Sequence, residues 1–476
     1  MTTGVARTET AGSGLELKDC RIRAGSGYPG IQARCGTLAR PEDPSNPDSS
    51  TLRLRVAIVP ALSLEPAPDP FVPIAGGPGQ GSISFYAGYS QAFERVRRSR
   101  DILLLDQRGT GDSATMNCEF DENAIEGNIS LDQTIEETRN CLATLPYDPR
   151  FFTTSIAVQD LEALRLALGV PQLNLYGVSY GTRVAQHYLR RFPGSTRSVI
   201  LDGVVPPTVA LGPIIAIEAQ KALDAIFARC AASAACNERF PDLPGEFRSL
   251  LSALSSEALE LELPNPLTGK PEQTTFGAGE LAGAVRLLSY HPNSVALLPL
   301  LVHEAANGNP EPLASQFLLV AEGLRDALSL GMHNAVVCTE DNPFVDPQAI
   351  SREALEQTYI GPLQADALDA ICSVWPRGII DDDFKTPVVS DVPVLLLSGE
   401  ADPITPPHFA DQVALSLQNV RHLTGSLQGH GQASRGCMPE IIGRFVDSAS
   451  IDDLGEECYS RVFAMPFFLD FSGPSP

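Results

Sequence analysis

Short runs of Val, Ile and Leu recur along this chain, each followed by turn residues: "TLRLRVAIVPAL" (51–62), "FVPIAGG" (71–77), "DILLLDQRG" (101–109), "LNLYGVS" (173–179), "SVILDGV" (198–204), "PVLLLSGE" (393–400) and "VRHLTG" (420–425). From residue 71 onward most of them lack the polar alternation of a strand with one wet face. The pattern therefore predicts strands buried on both faces of a mostly parallel sheet. Helical periodicity fills the intervals. "SIAVQDLEALRLALGV" spaces Ile156, Leu161, Leu164 and Leu168 at roughly helical intervals and stops at Gly169, just before Pro171. "YGTRVAQHYLRRFPG" sets Val184, Ala185, Tyr188, Leu189 and Phe192 on one face. Strands alternating with helices predict an α/β fold.

The rhythm breaks between about 207 and 385. There the chain has little strand character and much helical periodicity, as in "IIAIEAQKALDAIFARC" and "EPLASQFLLVAEGLRDALSL", before it returns to a strand at "VPVLLLSGE". A block of this kind reads as an insertion over the sheet. The expected organisation is a disordered tail over 1–14, a first core segment over 15–206, the helical insertion over 207–385 and a second core segment over 386–476. The Pro-rich "LEPAPDPFVP" (64–73) is a loop between the first two strands.

Composition adds two constraints. With 34 Lys plus Arg against 58 Asp plus Glu, the net charge is -24, a surface that repels nucleic acid and anionic membrane. Ten cysteines fall in five neighbouring couples, with no Cys-x-x-Cys and no His cluster beside them, which argues against a metal or redox site. Proximity pairs them as Cys20–Cys35, Cys118–Cys141, Cys230–Cys236, Cys338–Cys372 and Cys437–Cys458, although other connectivities, or some free thiols, fit the same count. Disulfides point to a periplasmic or secreted protein. The N-terminal "MTTGVARTETAGSG" has neither the basic start nor the apolar core of a signal peptide, and no apolar run reaches membrane-spanning length.

The candidate chemistry sits in "LNLYGVSYGTRVAQ". Gly177-Val178-Ser179-Tyr180-Gly181 follows a predicted buried strand and opens a predicted helix, which is the context of a nucleophile elbow. Such a turn needs strained backbone at the serine and no side chain two residues to either side. Ser179 is the candidate nucleophile. The elbow class runs in the order Ser, acid, His, so the base should come late in the chain. Of the seven histidines, His430 in "QGHGQ" lies on a loop after the last strand. Asp402 in "LLLSGEADPITPP" follows a buried strand and is the candidate acid, with Glu400 and Asp202 as rivals. Gly77 in "IAGGPGQGS" and Tyr180, beside the nucleophile, are the candidate oxyanion donors. One motif is a decoy: Gly109-x-Gly111-x-x-Ala114 mimics a dinucleotide fingerprint, but no second strand ending in an acid follows about 20 residues on. It reads as a structural turn in which Arg108 and Asp112 brace the floor of the site.

"GGPGQGS", "DQRGTGDS", "GVSYGTRVAQHYLRRFP", "LLLSGEADPITPP" and "GHG" occur in this order between about residues 20 and 470. As a set they resemble the tripeptidyl aminopeptidase and prolyl iminopeptidase-like serine peptidases of the α/β-hydrolase superfamily. The resemblance implies an α/β-hydrolase fold with a mostly parallel central sheet flanked by helices and a large, mainly helical cap. It also implies Ser179, Asp402 and His430 as triad and exopeptidase action at a free N-terminus, with no cofactor and no metal. Prolyl iminopeptidases carry His before Gly-Gly-Pro-Gly where this chain has Ala75, which weakens an expectation of strict proline preference. Acids of the cap can bind the substrate ammonium in this family, and "VVCTEDNPF" (336–344) offers Glu340 and, second, Asp341. The expected substrate is a short peptide, the alternative a small-molecule ester or amide; nucleic acid and membrane are not expected partners.

Overall fold

The computed structural model describes residues 15–25, 28–118 and 130–474; the tail expected over 1–14 lies outside them. The sheet strands are β1 (Lys18–Ile22), β2 (Ile31–Pro41), β3 (Thr51–Val59), β4 (Phe71–Ile74), β5 (Ile102–Leu105), β6 (Leu173–Val178) and β7 (Thr196–Asp202). After a hairpin in the inserted block, β8 (Leu259–Pro264) and β9 (Pro271–Phe276), come β10 (Val394–Gly399) and β11 (Val420–Gly425). The nine sheet strands lie in the order β1-β2-β3-β5-β4-β6-β7-β10-β11. Pairing is antiparallel from β1 through β3 to β5 and parallel from β5 to β11. This is the α/β-hydrolase fold.

The unalternated apolar runs have a direct explanation. In β10, Val394 and Leu396 enter one hydrophobic cluster while Leu395 and Leu397 enter another on the opposite face. In β7, Val199 and Leu201 divide from Ile200 in the same way. Helices cover both faces, so each successive side chain of a central strand leaves water, at about 1.5–3 kcal/mol for a large aliphatic group. The N-terminal strands β1, at the edge of the sheet, and β2 beside it escaped the hydrophobic pattern because much of their surface is not packed into the core. "KDCRI" and "IQARCGTLARP" bury only part of each strand, and the Cys20–Cys35 bond ties them together.

Between β7 and β10 the chain is mostly helical, with its own hydrophobic cluster built from residues such as Leu223, Phe247, Leu281, Leu298 and Leu313. Two features depart from the expected plain helical block. The β8–β9 hairpin stands in it, and its signal was present in the alternating Leu259-Glu260-Leu261-Glu262-Leu263. In addition, Met332, Ala335, Val336, Val337, Cys338 and Trp375 pack into a cluster of the sheet rather than that of the insertion. The stretch 332–338 thus belongs physically to the core although it lies deep within the inserted sequence.

All ten cysteines are bonded, as 20–35, 118–141, 230–236, 338–372 and 437–458. No helix of the described residues is long and apolar enough to cross a membrane. The Cys338–Cys372 bond closes a separation of 34 residues and pins the core-packed stretch to the helix Leu363–Val374. Replacing both cysteines by Ala is expected to lower stability by about 3–4 kcal/mol through the larger entropy of the unfolded chain. Denaturant unfolding followed by Trp375 fluorescence measures it, and an unmoved midpoint would show that the bond does not form.

Candidate active site

Ser179 occupies the turn between β6 and the helix Tyr180–Arg191, with φ 55° and ψ -124°. A non-glycine residue in such a conformation costs about 1–3 kcal/mol unless its surroundings impose it. The surroundings do. A Cβ on Gly177 would stand 2.2 Å from the Gly181 carbonyl oxygen, and one on Gly181 would stand 2.4 Å from the Ile74 oxygen and 2.6 Å from that of Ala75. The two glycines let strand, helix and the following loop of β4 meet at van der Waals limits, with Ser179 at the apex. Its amide donates to the Asp202 carbonyl at the end of β7 (2.9 Å).

Asp402 and His430 meet on the same rim. The Nδ1 of His430 lies 2.7 Å from Asp402 Oδ2 and 3.1 Å from Thr405 Oγ1. Asp402 Oδ1 accepts the amides of Ile404 and Thr405, each at 2.9 Å, and Oδ2 accepts the Thr405 hydroxyl. The carboxylate is fully buried and the imidazole 12% exposed. Burial favours the neutral acid, but the His430 charge and hydrogen bond outweigh it and hold Asp402 below the usual carboxylate range. Burial also works against the imidazolium of His430, and Asp402 overcomes it, raising His430 above the ordinary histidine value. With Nδ1 committed to Asp402, Nε2 is left as the proton acceptor. A Cβ on Gly203 would lie 2.9 Å from His430 Cε1, so His430 sits directly on Gly203, next to the Asp202 carbonyl that holds Ser179. Gly203 thus links the two: it follows Asp202, whose carbonyl accepts the Ser179 amide, and lies against the His430 ring.

The rivals have other work. Glu400 accepts the Ser426 hydroxyl and the Leu427 amide, bracing a turn. Asp202, fully buried, accepts the amides of Gln432 (2.8 Å) and Ala433 (2.9 Å) and the Tyr176 hydroxyl (2.8 Å). It fixes the loop that carries His430 from below, a role the sequence reading missed; its place at the end of a buried strand was the available signal. Among the other histidines, His187 is engaged by Asp381 and Ser155, His422 by Asp411 and Ser398, and His303 by Glu246.

The Gly-rich segment lies against the nucleophile: a Cβ on Gly76 would be 3.1 Å from Ser179 Cβ. Gly77 and Gly79 adopt φ of 105° and 107°, a left-handed backbone open to glycine. The inserted block clamps the segment, with Ser329 N–H donating to the Gly79 carbonyl (2.9 Å) and His333 Nδ1 to that of Pro78 (3.3 Å). Tyr180 opens the elbow helix, where first-turn amides have no partner within the helix.

The expected ammonium site is corrected by the structure. Glu340 is buried, accepting the amide (2.7 Å) and hydroxyl (2.9 Å) of Thr154. Asp341 makes paired hydrogen bonds with Arg183 at 2.9 and 2.7 Å and accepts the Leu211 amide. A turn of π-helix, Val337–Asp341, directs both acids inward, beneath the elbow helix, where neither faces solvent. Burial raises Glu340 to about 7. The decoy turn is corrected in part as well. Arg108 does brace the fold, through Asp160 at 2.6 and 2.9 Å, but Asp112 is exposed. The buried brace is Asp106, which accepts the Ile83 amide (2.9 Å) and which burial raises to about 6. Among the described residues no group of three or more His, Cys, Asp or Glu is arranged to hold a metal ion.

Comparison with known proteins finds relatives named as serine peptidases and hydrolases. A family model described as TAP-like protein matches residues 357–458, the segment that contains Asp402 and His430. The serine protease Hip1 of Mycobacterium tuberculosis is 26% identical, the match covering 90% of this chain and 87% of that protein. The putative hydrolase YuaR of Escherichia coli is 27% identical over 86% of this chain and 85% of its own length. The tripeptidyl aminopeptidase of Streptomyces lividans is 27% identical over 43% of this chain and 41% of its own.

Asp202→Asn would turn an amide NH2 toward donors that now meet an acceptor. The loss of at least one satisfied bond is expected to cost about 1–3 kcal/mol and to speed hydrogen exchange at the Gln432 and Ala433 amides. Unchanged exchange at both would show that Asp202 does not hold the loop.

Proposed function

We propose that this chain, an α/β-hydrolase similar to Hip1 and to the tripeptidyl aminopeptidases, is a serine peptidase that releases residues from the free N-terminus of short peptides through an acyl-enzyme. The observation that carries the reading is the buried 2.7 Å Asp402–His430 pair seated on Gly203, on the same rim as a serine held at φ 55°.

In this reading Ser179 Oγ attacks the scissile carbonyl as His430 Nε2 takes its proton. Asp402 keeps the imidazole in the tautomer that can accept, and stabilises the imidazolium that forms. The amides of Gly77 and Tyr180 receive the oxyanion, each worth about 3–4 kcal/mol at such a site. His430 then protonates the leaving amine, and water, activated by the same imidazole, hydrolyses the ester on Ser179. Five disulfides support a secreted or periplasmic location, since such bonds persist in oxidising compartments.

A second reading has its own observation. With Glu340 and Asp341 buried and engaged, neither acid named for the substrate ammonium is open to it, which favours an esterase or amidase acting on small acyl substrates with the same triad. Free-amine peptide arylamides of one to four residues, their N-acetylated counterparts and simple p-nitrophenyl esters separate the two. Arylamide turnover abolished by acetylation is expected; turnover confined to esters, or indifferent to acetylation, would overturn the exopeptidase reading.

Ser179→Ala is expected to lower kcat by about 10⁴-fold or more and to abolish labelling by a fluorophosphonate probe. Labelling that persists would place the nucleophile elsewhere. The protonated imidazole cannot accept the Ser179 proton, so kcat/KM should fall as pH drops through the His430 pKa. Because Asp402 raises that pKa, the acid limb should lie above the ordinary histidine value of about 6.5. A limb below that value would refute the pairing.

A further inference from the structure

His430 is held from two sides. Asp202 anchors Gln432 and Ala433 from the sheet. From the other side comes a corner of the inserted block, residues 289–291, between the helices Ala278–Leu288 and Pro292–Ala306. The His430 amide donates to the Tyr290 carbonyl at 2.7 Å. The Tyr290 ring meets the imidazole edge-on, with centroids 5.2 Å apart and planes at 72°. Gly429 passes so close that a Cβ there would lie 2.3 Å from the Tyr290 oxygen and 3.3 Å from that of Ser289. Beyond it, Arg435 Nη1 lies 2.7 Å from His291 Nε2 while Arg435 Nε donates to the Gly431 carbonyl at 3.3 Å. Four separate contacts thus join three residues of the insertion to the loop 429–435.

The corner itself is rigid. His291 caps the second helix, its Nδ1 accepting the Asn293 amide (3.1 Å). The flanking helices bury Leu281, Val285, Leu288, Val295 and Leu298 in the core of the insertion. Any displacement of that core carries Tyr290 with it. Neither Asp402 nor Asp202 substitutes for this contact: Asp402 and Thr405 fix Nδ1, Gly203 supports the Cε1 side and Asp202 fixes the backbone two residues on, whereas Tyr290 is, among the described residues, the one contact through which the inserted block reaches the ring itself.

We propose that Tyr290 is a positioning residue for His430, so that the base reaches its working orientation only with the inserted block docked against the loop 429–435. The inference rests on the serine-hydrolase reading of the site. It assigns the insertion a part in assembling the triad, beyond covering it. The Tyr290 hydroxyl has no role in this contact, so the aromatic edge and the rigid corner are what matter.

The test compares Tyr290→Ala, Tyr290→Leu and Tyr290→Phe in the full chain, using whichever member of the arylamide and ester series the parent protein turns over best. Ala and Leu are expected to lower kcat by about 10–100-fold, the scale of an ångström-level misplacement of a catalytic group, with KM within about threefold of the parent. Phe, which keeps the ring, should restore kcat. Leu keeps apolar volume at the corner, so its thermal midpoint serves as the folding control if Ala fails to fold. His430→Ala and Ser179→Ala test the underlying reading: if either retains activity, the triad assignment fails. If those two are inactive while Tyr290→Leu keeps kcat within about twofold of the parent, or Phe does no better than Leu, the positioning role fails and the triad stands.

Discussion

The close approach of β6 to the helix that follows it governs the rest of this molecule. Gly177 and Gly181 come so near one another, and Gly181 so near the Ile74 and Ala75 carbonyls, that no side chain fits at either position. That contact forces Ser179 into its strained conformation, and it also places the Gly76–Gly79 segment beside the serine. Because β7 runs parallel to β6 in register, the same geometry brings Asp202 and Gly203 to the serine's other flank. One crowded crossing thus sets Ser179, the Gly-rich segment and the seat of His430, the groups to which the proposed mechanism gives its chemistry, and the strain at one residue is maintained by packing from three directions.

Beneath the elbow the protein keeps charges where apolar groups would have been expected. Arg183, on the elbow helix, is almost wholly buried and is neutralised by Asp341, with Glu340 at 3.6 Å. Lys385 donates to the Val209 and Glu340 carbonyls, and burial lowers it to about 8. Taking such a group of ions out of water is expensive and is repaid only by good geometry and full hydrogen bonding. What it provides here is location. Thr154, which both oxygens of Glu340 engage, also contacts the Tyr180 hydroxyl at 2.7 Å, so the charged cluster fixes the side chain of the residue proposed as an oxyanion donor. Breaking one partner would leave a buried charge uncompensated, which is why this arrangement specifies a single position for the helix start.

The inserted block meets the core at both ends of the reactive rim. Leu328 and Ser329 hold the Gly-rich segment, and Tyr290 holds the loop of His430. A lid free to swing would disturb both sets of groups at once. The contacts are backbone hydrogen bonds and glycine-tight packing, which tolerate small sliding poorly, and the Cys338–Cys372 bond ties the stretch that follows Ser329 to the helix Leu363–Val374.

Much of this was legible in the sequence, and for a consistent reason. Apolar runs without alternation identify strands with two buried faces, and glycines flanking a serine identify a turn that no other residue allows; both are local steric facts. Order along the chain and position after buried strands then made Asp402 and His430 the candidate acid and base, with Glu400 and Asp202 left as rival acids. The peripheral strands β1 and β2 were not legible, since few of their side chains are fully buried, and the 332–338 stretch gave no sign that it packs with the sheet rather than with its sequence neighbours. Glu340 and Asp341 show the limit most clearly. Two adjacent acids after a cysteine read equally well as an open binding site or a buried ion pair. Only the fold, by setting Arg183 and Thr154 against them, decided that they face inward, because a carboxylate's role depends on which partners reach it across the tertiary structure, and those partners lie more than a hundred residues away in the chain.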